Sequence, residues 1–166
     1  MIILQDTKEK LPWSFARYEQ CDEQKPTHLT EGDYTIEEYP YLIAIERKKS
    51  VSEIATNLGL KYVQFKNEME KLKEYRYRYV VCEFSESEVV NYPHSSKLPR
   101  AVKAKLRMSG KFLMKRIQDL HICYEIPFIY CGNREMAQRK AMELLLDAEA
   151  TYQRELIDGE RGIPSN

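Results

Sequence analysis

The stretch "AIERKKSVSEI", residues 44–54, carries an apolar approach, Ile43, Ala44 and Ile45, directly into Glu46, Arg47, Lys48 and Lys49, and then into a helix signature. A solvated loop accounts for the charges but not for the apolar residues ahead of them. In an extended strand residues two apart share a face, so Glu46 and Lys48 point one way while Ile45 and Arg47 point the other. A buried strand ending in this order brings a carboxylate and an ammonium to one surface. The following "SVSEIATNLG", 50–59, opens on Ser, has Glu three residues later and closes on Gly, which is a capping box with a terminating glycine.

Upstream, "LTEGDYTIEEYPYLIAIERK" reads as a hairpin of two strands, about 33–37 and 41–48, connected near Pro40. Gly32 frees the backbone just before Asp33, and Asp33 lies close enough across the hairpin to join Glu46. "IILQ", 2–5, reads as a short buried strand that delivers Asp6, with Glu9 shortly after. Downstream, Tyr62, Phe65, Met69 and Leu72 recur at helical spacing, and "YRYVVCEF", 77–84, is a strand by its aromatic and β-branched content. Polar residues 21–28 and 85–98 read as loops. Leu113, Ile117, Leu120 and Tyr124 mark a buried helix face, "PFIYCG" a short strand, and Ala137, Ala141, Leu144, Ala148 and Tyr152 the inner face of a last helix, about 133–156, followed by Gly159 and Pro164. The order gives an α/β fold, a mixed central sheet flanked by helices on both faces.

Two carboxylates meeting a lysine suit a particular chemistry. An anionic phosphodiester resists attack, so its hydrolysis needs a cation to neutralise developing charge and acidify a water. Asp33 and Glu46 offer the hard oxygens that Mg or Mn prefers. Lys48 suits the attacking water or the charged transition state. Asp6 and Glu9 add ligands or orient the others. Alone, an acid two residues before a lysine is common and carries little weight.

The 166 residues predict one domain, 1–166. Apolar residues are 43% and charged residues 31%, with no long apolar run, which excludes a membrane-spanning or disordered chain. "MIILQDTKEK" lacks the features of a secretory signal, and the four scattered cysteines read as reduced, so a cytoplasmic protein is expected. Lys plus Arg and Asp plus Glu balance at 26 each, yet no acid lies between Glu88 and Asp119. Lys97, Arg100, Lys103, Lys105, Arg107, Lys111, Lys115 and Arg116 fall inside that window. The charges at 100, 103, 107 and 111 form one helical stripe unless Ser109 and Gly110 divide it. Two readings stand, a solvated helix face or a phosphate-backbone surface.

"DTKE" at 6–9, "GDYTI" at 32–36 and "IERKKSVSE" at 45–53, in that order, resemble the nuclease domain of the XPF family of structure-specific DNA endonucleases. The resemblance implies a restriction-endonuclease-like fold and a Mg- or Mn-dependent endonuclease acting on DNA, of the kind that serves repair or recombination; selectivity for branched or flap DNA belongs to the family, but without its helix-hairpin-helix domain it is not simply inherited. It implies metal binding by Asp33 and Glu46, a catalytic Lys48, first-motif residues Asp6, Lys8 and Glu9, and a central Arg47. It also implies pairing of two copies through the nuclease domain. Arg100, Lys103, Arg107, Lys111 and Lys115 are then the residues expected to track DNA. Two departures matter. Lys8 stands for an arginine, which keeps the charge but loses the planar fork. Ser52 stands where the family has Asp, with Glu53 next, so either Glu53 serves in a shifted register or that acid is missing. The family's helix-hairpin-helix domain is not expected here. A non-catalytic DNA-binding or assembly module of the same fold is the competing expectation.

Overall fold

The computed structural model describes residues 1–161. Six strands form one mixed sheet: β1 (Ile2–Asp6), β2 (Glu23–Thr27), β3 (Tyr34–Ile36), β4 (Ile43–Lys48), β5 (Tyr77–Cys82) and β6 (Phe128–Tyr130), in the order β2-β1-β3-β4-β5-β6. β3 runs antiparallel to both β1 and β4, while β4, β5 and β6 are parallel to one another. The helices are α1 (Val51–Leu58), α2 (Tyr62–Leu72), α3 (Glu86–Val90), α4 (Arg100–Lys103), α5 (Gly110–Tyr124) and α6 (Arg134–Arg161). The α/β architecture with a mixed sheet between helices is the one the sequence predicts.

Strand alternation divides the core in two. Ala44, Val80 and Cys82 pack with α1, α2 and α5 on one face, through Ile54, Leu58, Phe65, Met69, Leu113 and Ile117. Ile43, Ile45 and Val81 pack on the other with Trp13, Phe15, Tyr34 and the small-residue face of α6, Ala137, Ala141 and Ala148. β4 and β5 are covered on both sides, which is why they read as continuous apolar runs.

The structure corrects four readings. Residues 23–27 are an edge strand parallel to β1, not a loop. Its sequence, Glu-Gln-Lys-Pro-Thr, lacks apolar alternation because this edge is solvated, and it is tied inward by the Gln24 amide, which donates to Gln5 Oε1 (2.7 Å) and the Trp13 carbonyl (2.8 Å). The 85–98 segment contains α3, started by a capping box between Ser85 and Glu88. The basic stripe is not one helix: α4 ends at Lys103, residues 104–109 are irregular, and Ser109 caps a new helix by accepting from the Phe112 N–H. Finally, α6 continues to Arg161, so Gly159 lies inside it, while Pro164 lies outside the described residues.

The break before α5 has a packing cause. Gly110 donates its N–H to the Tyr92 carbonyl (3.0 Å) and lies so close to α3 that a Cβ there would stand 1.9 Å from the Val90 oxygen. Gly110→Ala is therefore expected to destabilise the fold by roughly 1–3 kcal/mol, as overpacking against backbone does; a denaturant midpoint equal to wild type would refute this account.

Candidate active site

Asp33 lies just before β3 and is positioned by β4. Its N–H donates to the Ile45 carbonyl (2.8 Å), and its Oδ2 accepts from the Arg47 N–H (2.7 Å). Gly32 supplies the left-handed turn that aims it (φ 70°), with Ala44 and Ile45 packed too close for ready substitution. Glu46 and Lys48 project from one face of β4, as the strand period requires, and Lys48 Nζ donates to Glu46 Oε1 at 2.7 Å. Asp33 and Glu46 line a cleft of about 460 Å³ with Asp6, Lys8, Glu31 and the polar face of α2, Gln64, Asn67, Glu68 and Lys71.

Burial and the neighbouring Glu46 carboxylate push the Asp33 carboxyl well above its ordinary value, although the Arg47 N–H and Lys48 oppose them. Lys48, with 5% of its side chain exposed, behaves in the opposite way. Burial alone lowers its pKa, but Glu46 outweighs that by charge and hydrogen bond, aided by Glu53 and Asp33, and holds the ammonium above the usual lysine range. The Phe65 ring, 4.9 Å from Nζ, covers it. Lys48 is thus a fixed cation and not a neutral base.

Arg47 faces the other side of β4 with 1% of its side chain exposed. Its guanidinium donates to Glu9 Oε2 (2.7 Å), Glu83 Oε1 (2.9 Å through Nε) and the Leu11 carbonyl (2.9 Å), and lies over Trp13, whose Nε1 donates to the same Glu83 oxygen (2.7 Å). This cluster fastens the segment after β1 to β4 and β5. It also takes up Glu9, which pairs with Lys49 (3.0 Å) as well and so serves the site from behind, not from the cleft. Asp6 does line the cleft, its Oδ1 accepting from the Leu29 N–H (3.3 Å). Of the two registers, the side chain near Lys48 is that of Glu53: its Oε2 accepts from the Lys49 N–H (2.8 Å) and its Oε1 lies 3.9 Å from Lys48 Nζ.

Among the described residues no three His, Cys, Asp or Glu side chains are arranged to hold a metal ion by themselves. The carboxylate pair nevertheless fits a hard cation, because Mg keeps several waters and needs one or two carboxylates. Burial raises Asp33 first and the Glu46 charge second, and the second of these is what such an ion would relieve.

The residues expected to track DNA are dispersed. Arg100 and Lys103 are on α4, Arg107 follows it, and Lys111 and Lys115 flank a groove against β6. Arg116 stacks on Tyr62 (3.6 Å) and Phe112 (4.9 Å), joining α5 to α2. Sequence reasoning missed Glu83, Trp13, Glu31 and the α2 residues of the cleft. Gln64, Asn67, Glu68 and Lys71 recur at helical spacing opposite the apolar stripe, a signal that was present.

No protein-family model matches the chain, and no curated protein matches it. Among solved structures it superposes on XPF from Aeropyrum pernix with a TM-score of 0.61 at 18% identity, covering 96% of this chain and 69% of that one. A second structure, XPF from Aeropyrum pernix in complex with DNA, gives a TM-score of 0.54 at 17% identity over 92% of this chain and 66% of that one. This is an XPF-like fold. It is the restriction-endonuclease-like architecture expected from the three motifs, and at this identity the likeness speaks for the fold of the XPF-like chain alone.

Two outcomes follow from the charges. A folded-state pKa raised above the unfolded value contributes stability that is present below about pH 4 and lost as pH rises through the raised value. Asp33→Asn keeps the acceptor for the Arg47 N–H and removes the repulsion. In metal-free buffer it is expected to raise Tm by a few degrees at pH 7, about what 1 kcal/mol gives, with no gain near pH 3; equal Tm at both pH values would contradict the coupling. Glu83→Ala leaves the buried Arg47 short of a partner and should cost roughly 3–5 kcal/mol, measured by urea unfolding.

Proposed function

We propose that the protein is a metal-dependent DNA endonuclease that hydrolyses phosphodiester bonds in the cleft of Asp33, Glu46 and Lys48. The observation that carries this reading is geometric: Asp33 and Glu46 line one cleft, and the buried Lys48 ammonium behind its wall donates to Glu46 at 2.7 Å. Asp33 and Glu46 would hold Mg or Mn. What such a cation supplies when bound is neutralisation of phosphate charge and acidification of water.

The side chains divide the remaining work. Lys48 donates its N–H groups to oxygens that gain negative charge, and being protonated it does not act as the base. Phe65 and the end of β4 fix its position, which avoids reorganisation during the reaction. Lys8 and Lys71 on the cleft rim attract the anionic backbone. Asp6 and Glu53 flank the site, and Arg47 with Glu9 and Glu83 keeps its two loops in register. Branched or flap DNA is the proposed substrate class, and two copies paired through this fold form the proposed assembly; sedimentation of a monomer at micromolar concentration would remove the latter.

End-labelled single-stranded, duplex, flap and branched DNA should be cut with Mg or Mn and not with chelator. Asp33→Ala and Lys48→Ala should each lower the rate at least about a hundredfold while circular dichroism stays unchanged. Cleavage retained in both variants would sink the assignment, and wild-type binding without cutting would leave a DNA-binding module of the same fold.

A further inference from the structure

A second cavity, about 570 Å³, opens where β4, β5 and β6 end. Its wall includes Lys49, Ser52, Lys97 and Arg134, together with Glu83 and Glu88. Both acids are already engaged. Glu83 accepts from Arg47 and Trp13, and Glu88 accepts from the Ser85 N–H (2.8 Å) and hydroxyl (3.1 Å). The cations are not matched in the same way. Arg134 donates only to the Leu11 (2.9 Å) and Pro12 (2.6 Å) carbonyls, which leave its charge uncompensated, and Lys97 is exposed with no hydrogen bond or ion pair among the described residues. The cavity lining thus carries three cations, Lys49, Lys97 and Arg134, and two carboxylates, Glu83 and Glu88.

We infer that this cavity is a second phosphate site, which takes a backbone phosphate of the same DNA chain beside the one cleaved. The inference rests on the nuclease reading above and deepens it. Lys49 directly follows Lys48, and Ser52 directly precedes Glu53, whose carboxylate reaches Lys48. Lys49 and Ser52 in the cavity wall are thus chain neighbours of Lys48 and Glu53, which sets the cavity beside the site where the reacting phosphate would lie. Lys97 also links the cavity to the segment of Arg100 and Lys103, so the part of the basic window that serves DNA is its beginning, not a stripe along α5.

The test is the affinity of the full chain for a fluorescent oligonucleotide in chelator, measured across salt. Lys97→Glu and Arg134→Gln are expected to weaken binding roughly tenfold for any base sequence and to reduce the salt slope by about one. Lys97→Glu should still gain the wild-type increase in Tm with Mg, because the cleft is untouched. Wild-type affinity and slope in both variants, with wild type itself binding, would overturn the site and leave the nuclease reading standing; a wild type that neither binds nor cuts DNA would overturn both. A third arm separates the sources of phosphate. Thermal stabilisation by millimolar inorganic phosphate that Lys97→Glu removes, without change in DNA affinity, would assign the cavity to a free phosphate and overturn the proposal.

Discussion

The buried guanidinium of Arg47 is the interaction on which the rest of the site depends. It sits in the middle of a catalytic-looking triplet yet points away from the cleft, into a pocket floored by Trp13 and closed by Glu9 and Glu83. Removing a fork of this kind from water is costly, and it is stable only where every donor has a partner. Here the partners come from the loop after β1, from β5 and from the Leu11 carbonyl, whose residue is held in a left-handed conformation (φ 56°). One side chain thus fixes the separation of three chain segments, and Asp33, Glu46 and Lys48 inherit that spacing.

Because successive residues of β4 face opposite ways, the strand carries two charge systems that do not mix. On the Arg47 side the charges neutralise one another almost completely. On the Glu46 side they do not: two carboxylates compete for one lysine, and the Asp33 carboxyl is raised first by its burial and then by the Glu46 charge.

The basic window shows how charge in sequence differs from charge in space. Its eight cations serve at least three ends. Arg116 stacks between aromatic rings, Lys103 donates to the His94 carbonyl (2.9 Å), and Lys97 lines the cavity where β4, β5 and β6 end. Gly110, pressed against the end of α3, is the point at which the stripe is broken.

The sequence by itself determined the central strands, the capped α1, the apolar faces of α2, α5 and α6, and the presence of Asp33, Glu46 and Lys48 on one site, because these follow from strand period, helix period and local capping, all of which act over a few residues. It left Glu53 as one of two open registers. Tertiary structure alone decided that Glu9 turns to Arg47 and Lys49, that Glu83 and Trp13 complete the buried cluster 70 and 34 residues from their partners (83 minus 13, and 47 minus 13), that residues 23–27 form an edge strand, and which lysines face the site. The reason is that a buried charge chooses its partner by desolvation and distance, and neither is encoded in spacing along the chain.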